Sequence, residues 1–175
     1  MKAQRYRVER LTRGHSRAAF SCSEDSLDSY LRDRARRDAD RHVATVFILH
    51  DPQADRVAGY YTLSASSVLL AELPLEMQRT LPRYPQAPVV LLGRLAIDRD
   101  YQGQDLGEAL LFDALRRAFA VGTEQIAAMA VIVDALHDRA RAFYEQYGFQ
   151  RFPGNEHRLF MPMQTIAQLV EEDEA

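Results

Sequence analysis

Cysteine is almost missing from this chain. Cys22 stands alone among 175 residues, so no internal disulfide can form, and a reducing, cytoplasmic setting fits best. Cys22 itself reads as a small packed residue rather than a nucleophile. Lysine is almost missing too: Lys2 is the only one, and the rest of the positive charge is arginine. No apolar run is long enough to cross a bilayer, and the opening MKAQRYRVERLTRG has no apolar core, so neither a membrane span nor a secretory signal is expected. There is no internal repeat and no low-complexity tract. What remains is an ordinary globular composition, 47% hydrophobic and 27% charged, read as one domain over residues 1–175 that is long enough to bury a core.

A net charge of −3 alone speaks against nucleic-acid binding, but the charge is unevenly distributed. Arg5, Arg7, Arg10, Arg13 and Arg17 crowd the start, Arg32, Arg34, Arg36, Arg37 and Arg41 follow on one predicted helix, and acid collects in the closing EEDEA. Guanidinium forks match phosphates and carboxylates better than ammonium groups do. The competing reading is a solvated face with internal ion pairs to Asp33, Asp38 and Asp40.

The pattern along the chain predicts a mixed α/β sheet protein. RYRVERL alternates like an edge strand, and a helix begins near Ser26 with Leu27, Tyr30, Leu31 and Ala35 as its apolar stripe. VATVFILH and RVAGYYTLSASSV form a hairpin around DPQADR, and LPLEMQRTLPRYPQAP gives a short helix and a loop. VVLLGRLAI reads as a central strand buried on both faces, LGEALLFDALRRAFA as a helix, and QIAAMAVIVDA as a second buried strand. DRARAFYEQYGF is a helix that Gly148 should end in a left-handed cap, and RLFMPM is a last strand before a short acidic tail.

Two segments carry the chemistry. DRDYQGQDLG links a buried strand to a helix, a layout in which helix N–H groups and glycine backbone hold an anion. It has neither Gly-Lys-Ser/Thr nor Gly-x-Gly-x-x-Gly, so it is neither a Walker loop nor a dinucleotide loop, and an ordinary strand–helix turn stays open as a reading. In the later helix, Ala140, Phe143, Tyr144 and Tyr147 share a face. Phe143 and Tyr147 read as core, whereas the Tyr144 hydroxyl is a candidate proton donor to a leaving thiolate. His137 reads as the residue that starts this helix rather than as a base. No other His or Glu in these segments suggests a base.

RLAIDRDYQGQDLGEALL followed by ARAFYEQYGF resembles the GNAT acetyltransferase superfamily. SLDSYLRDRARRDADRHVATVFIL, VAGYYTLSASSV, LPRYPQAPVVLLGRLAID and LFMPM extend the likeness over nearly the whole chain, to the GNAT toxins of bacterial toxin–antitoxin modules. The resemblance implies the GNAT fold, a mostly antiparallel central sheet flanked by helices, with acetyl-CoA as co-substrate. It implies that Gln102, Gly103, Gln104, Asp105, Leu106 and Gly107 hold the pyrophosphate, that Leu95, Ala96 and Ile97 offer backbone to the pantetheine and thioester, and that Tyr144 protonates the sulfur. It further implies acetylation of the α-amine of aminoacyl-tRNA, with Arg5, Arg7, Arg34, Arg36, Arg37 and Arg41 as candidate phosphate contacts. The expected partner is a ribbon–helix–helix antitoxin, through which alone the operator DNA is met, and a homodimer is the family expectation. The alternatives are a GNAT enzyme acting on a small amine or a protein, and a catalytically silent antitoxin-binding subunit. No metal is implied.

Asp105 departs from the family glycine. Its carboxylate repels a pyrophosphate, by ~1 kcal/mol for unit charges ~4 Å apart in water and ~4 kcal/mol at an effective dielectric of ~20. Aspartate tolerates left-handed backbone and is a good N-cap, and its carboxylate is placed to fold onto the same N–H groups. Weakened or lost activity is therefore the expectation.

Overall fold

Alternating apolar residues build the strands and the expected stripes build the helices. The computed structural model describes residues 5–175. The strands are β1 (Arg7–Arg10), β2 (Thr45–Asp51), β3 (Arg56–Leu69), β4 (Gln86–Ile97), β5 (Ala130–Asp134), β6 (Gln150–Phe152) and β7 (Asn155–Pro162). The helices are α1 (Asp25–Ser29), α2 (Ala35–Asp40), α3 (Leu75–Thr80), α4 (Leu106–Glu124), α5 (Asp138–Gln146) and α6 (Met163–Glu174). The strands hydrogen-bond in the order β1-β2-β3-β4-β5-β7-β6. β1 lies at the sheet edge as expected. The β1–β2, β2–β3, β5–β7 and β6–β7 pairs are antiparallel, and β4–β5 is parallel, with α4 as the crossover a parallel pair requires. None of the described helices is long and apolar enough to cross a membrane.

The chain gathers into two compact units, one of residues through Ser64 with Gly93–Ala114 and the other of Ala65–Leu92 with Leu115–Ala175. The first is built on Phe20, Tyr30, Leu31, Val46, Ile48 and Tyr60. The second is built on Val68, Val89, Ile132, Phe152 and Phe160. Cys22 packs in the first core. Burial, then its proximity to Asp28, pushes its thiol up to about 12, so it stays a protonated, inert side chain.

Three local expectations are corrected and one strand is added. The first helix is interrupted by a π-helical turn at Tyr30–Arg34. Along a regular α-helix Tyr30 and Asp38 would face directions about 80° apart, and the extra residue of a π turn shifts this by about 100°, to within about 20°. The Tyr30 hydroxyl thus reaches Asp38 Oδ2 at 2.9 Å. The closing segment is helix α6, not a bare acidic tail, because Met163 and Ile166 fall on one face and are buried. QRF forms β6, too short to signal itself in sequence. β4 is not buried on both faces: Val89, Leu92 and Ala96 are buried, while Leu91, Arg94, Leu95 and Ile97 are half-buried. Its ladder with β5 covers Val90–Leu92, and the strand runs on past it through Gly93–Ile97.

Gly59 on β3 permits a close approach of the chain just before the loop. A Cβ there would sit 2.7 Å from Ile97 Cδ1 and 2.9 Å from the Ala96 carbonyl oxygen. Because backbone cannot yield as a flexible side chain does, Gly59→Ala is expected to cost about 1–3 kcal/mol, measured by chemical denaturation. An unchanged midpoint would mean that β4 shifts freely.

Candidate functional site

The loop after β4 belongs to the first unit and is held from beneath by buried carboxylates. Asp98, 2% exposed, accepts from Ser21 N at 3.0 Å, Asp100 N at 2.9 Å and Arg56 Nη2 at 3.3 Å. These bonds start a 3₁₀ turn over Arg99–Tyr101. Asp51, 1% exposed, accepts from the Tyr101 hydroxyl at 2.8 Å and from Arg5 at 3.3 Å. Burial works to raise the Asp51 carboxyl, but the hydrogen bonds from Tyr101 and Gln53 and the charge of Arg5 outweigh it and hold it below the usual range. Burial and the bond to Asp51 push the Tyr101 phenol up to about 12. Tyr6 meets the Tyr101 ring edge-on at 5.9 Å, and its hydroxyl donates to Gln104 Oε1 at 3.0 Å.

Above these anchors the backbone alternates in hand. Gln102 has φ −69°, Gly103 +80° and Asp105 +59°, with Gln104 outside the positive range. Alternation of right- and left-handed residues turns successive N–H groups to one side and forms an anion-binding concavity. A Cβ at Gly103 would meet nothing within 4 Å, so the glycine serves the φ angle and not the space. The Asp105 carbonyl accepts from Ala109 N at 3.2 Å, which starts α4, and no side chain among the described residues caps the N–H groups of Leu106, Gly107 or Glu108. Leu106, Leu110 and Leu111 anchor the helix by burial. The residues from Gln102 to Gly107 therefore fit a pyrophosphate.

Asp105 does not fold onto those N–H groups. Its side chain is exposed and makes no hydrogen bond or ion pair among the described residues. An N-cap side chain reaches back over its helix from extended backbone, and the left-handed backbone here aims the carboxylate elsewhere. This left-handed φ is the reason glycine suits the position.

The second unit carries Tyr144. His137 starts α5: its backbone is extended, and its Nδ1 accepts from Ala140 N at 3.1 Å. The helix ends in a Schellman motif, with Gly148 at φ +102°, Gly148 N bonded to Glu145 O and Phe149 N to Tyr144 O, as the Gly-Phe pair predicts. The Tyr144 ring is buried between Phe143 and Phe149, with centroids at 5.3 and 5.4 Å. Phe143 and Tyr147, expected in the core, are half-buried, and Tyr144 is the buried member of the stripe. No described residue accepts from its hydroxyl. No described side-chain N or O is both buried and unpartnered, so this oxygen keeps accessible surface. Burial raises the phenol well above its ordinary value, which makes it a donor throughout the neutral and alkaline range.

The arginines divide by what they already hold. Arg5 pairs with Asp51, and Arg36 with Asp40 at 3.2 Å. Arg17 donates to the Leu31 and Arg32 carbonyls, and burial, then the charge of Arg36, lowers its pKa. Arg7, Arg34, Arg37 and Arg41 are exposed and have no ion pair among the described residues. Arg17, Arg32, Arg36, Arg37 and Arg41 line an open concavity of about 440 Å³ together with Asp33 and Asp40, so positive charge is in excess there.

Known proteins resemble the chain along nearly its whole length. A tRNA-acetylating toxin of Mycobacterium tuberculosis (strain ATCC 25618 / H37Rv) is 38% identical over 152 residues, covering 87% of this chain and 89% of that protein. The structure of AtaT complexed with acetyl-methionyl-tRNAfMet superposes with a TM-score of 0.86 at 33% identity, covering 94% of this chain and 98% of that one. A tyrosine-to-phenylalanine AtaT mutant bound to the C-terminus of the antitoxin AtaR and acetyl-CoA gives 0.79 at 28% identity, covering 94% and 98%. The AtaT–AtaR complex bound to DNA gives 0.75 at 30%, covering 93% and 98%. The profile of the acetyltransferase (GNAT) family matches residues 8–149, and the chain belongs to that family.

Proposed function

We propose that this protein is a toxin that transfers the acetyl group of acetyl-CoA to the α-amino group of aminoacyl-tRNA, blocking translation until a cognate antitoxin neutralises it. The observation that carries this reading is the end-to-end likeness to a tRNA-acetylating toxin. The N–H groups of Gln102–Gly107 hold the pyrophosphate of acetyl-CoA, and the backbone of Leu95, Ala96 and Ile97 lines its pantetheine and thioester. The substrate nitrogen attacks the thioester carbonyl carbon. As the C–N bond forms and the C–S bond breaks, Tyr144 gives its proton to the departing thiolate and is reprotonated from solvent, which receives the proton lost by nitrogen. A strong base is unnecessary: an α-amine has a pKa near ~7.7–8.0, lowered further by the neighbouring ester, so much of it is neutral at pH ~7. His137 is committed to its cap and is not assigned to this step.

The exposed arginines Arg7, Arg34, Arg37 and Arg41 meet tRNA phosphates, with Arg5 and Arg36 as secondary contacts that already hold carboxylates. A ribbon–helix–helix antitoxin, operator binding through it, homodimerisation, action in the cytoplasm and a single domain over 1–175 complete the reading. Asp105 weakens acetyl-CoA binding without abolishing it. Its exposure favours the high-dielectric figure of ~1 kcal/mol per charge pair.

Acetyl transfer to a mixed charged-tRNA pool tests the proposal, and transfer to free amines or proteins with none to tRNA would overturn it. Tyr144→Phe is expected to lower turnover about a hundredfold or more while acetyl-CoA affinity holds. Asp105→Gly should tighten acetyl-CoA binding about tenfold, and equal affinities by calorimetry would refute the charge argument. A silent subunit predicts no transfer even with Asp105→Gly. His137→Ala should cost about 1 kcal/mol of stability, recovered by His137→Asn, with transfer retained by the folded variant; selective loss of turnover in both would reinstate His137 as a base. tRNA affinity should fall steeply with salt.

A further inference from the structure

β4 carries one arginine with no anionic partner. Arg94 is half-buried, and no carboxylate or carbonyl among the described residues accepts from it. Other half-buried arginines have acceptors: Arg56 has Asp98 and Asp100, Arg141 has Asp138, Glu145 and Glu156, and Arg17 has the Leu31 and Arg32 carbonyls. Withdrawing a cation from water without a partner is costly. Here an aromatic ring stands in for the anion, since the guanidinium carbon lies 3.6 Å from the centre of the Tyr30 ring.

That ring is fixed with unusual care. Tyr30 is 3% exposed and donates to Asp38 at 2.9 Å, which enriches the ring in electron density; the π turn puts the two residues on one face. Tyr30 stacks near Tyr60 at 6.3 Å with 17° between planes, and the Tyr60 hydroxyl donates to Leu27 O at 2.7 Å. The result is a guanidinium with one face against the ring and no hydrogen-bond acceptor on its N–H groups among the described residues. A guanidinium edge matches two oxygens of one phosphate in a planar, bidentate contact that a point charge cannot reproduce. In sequence it immediately precedes Leu95–Ile97, the segment assigned to the thioester.

We propose that Arg94 binds a phosphodiester of the tRNA substrate in this bidentate manner and positions the aminoacyl end for transfer. The assignment rests on the tRNA-acetylating function proposed above. The same oxyanion chemistry is found in acetyl-CoA, so the test separates the two sources. Arg94→Lys keeps the charge over the ring but loses the fork, and Arg94→Gln loses both. Affinity for uncharged tRNA across a salt series, acetyl-CoA affinity by calorimetry and melting temperature would be measured on the full chain.

Arg94→Lys is expected to weaken tRNA binding about tenfold with an unchanged salt slope. Arg94→Gln should in addition make the log–log salt slope shallower by about 0.7–0.9. Acetyl-CoA affinity stays at the wild-type value in Arg94→Lys, and KM for charged tRNA rises. Unchanged tRNA affinity in a destabilised Arg94→Lys would reduce Arg94 to a structural residue. Loss confined to acetyl-CoA would assign it to the cofactor. Either result overturns the proposal. Failure of the wild-type protein to acetylate charged tRNA would instead remove the functional reading on which it rests.

Discussion

The carboxylate of Asp98 decides where the chain goes after β4. It is almost wholly buried and gathers three donors, from the segment before α1, from the 3₁₀ turn and from β3. Hydrogen bonds to a charged acceptor contribute about 1.5–3 kcal/mol each, and removing the acceptor would leave three part-buried donors without it. With the turn fixed, Tyr101 swings under the loop onto Asp51, and Gln102–Gly107 follow with their alternating hand. The backbone proposed to hold the pyrophosphate thus rests on buried, hydrogen-bonded acid.

Asp105 shows the opposite use of the same residue type. Asp98 and Asp51 are buried and satisfied, whereas Asp105 is exposed and left-handed, and its side chain has no partner among the described residues. In a fold whose other loop carboxylates are tied to donors, an untied one beside the proposed pyrophosphate position leaves its charge uncompensated. The left-handed backbone that suits the family glycine is retained all the same.

Arginine is used in three ways here. Some arginines brace the fold through buried acids or carbonyls, as Arg56 and Arg17 do. Some are exposed and have no ion pair among the described residues, as Arg7, Arg34, Arg37 and Arg41. Among those residues Arg94 is held by an aromatic face alone. A sequence dense in arginine displays the supply without the division of labour, because pairing depends on carboxylates from distant segments: Arg5 finds Asp51 across 46 positions.

The sequence by itself determined the strand–loop–helix unit, the left-handed Gly148 cap and His137 as helix start, since each is written in short-range spacing or backbone chemistry, and its resemblance to the acetyltransferase family held. It also marked Asp105 as out of place. Only the tertiary structure decided that Tyr144, and not Phe143 or Tyr147, is the buried aromatic of α5 with an open hydroxyl. Only there do the π turn at Tyr30, the helical C-terminus and the contact of Arg94 with the Tyr30 ring appear. These depend on which surfaces meet, and local periodicity does not encode the partner that a side chain finds across the sheet.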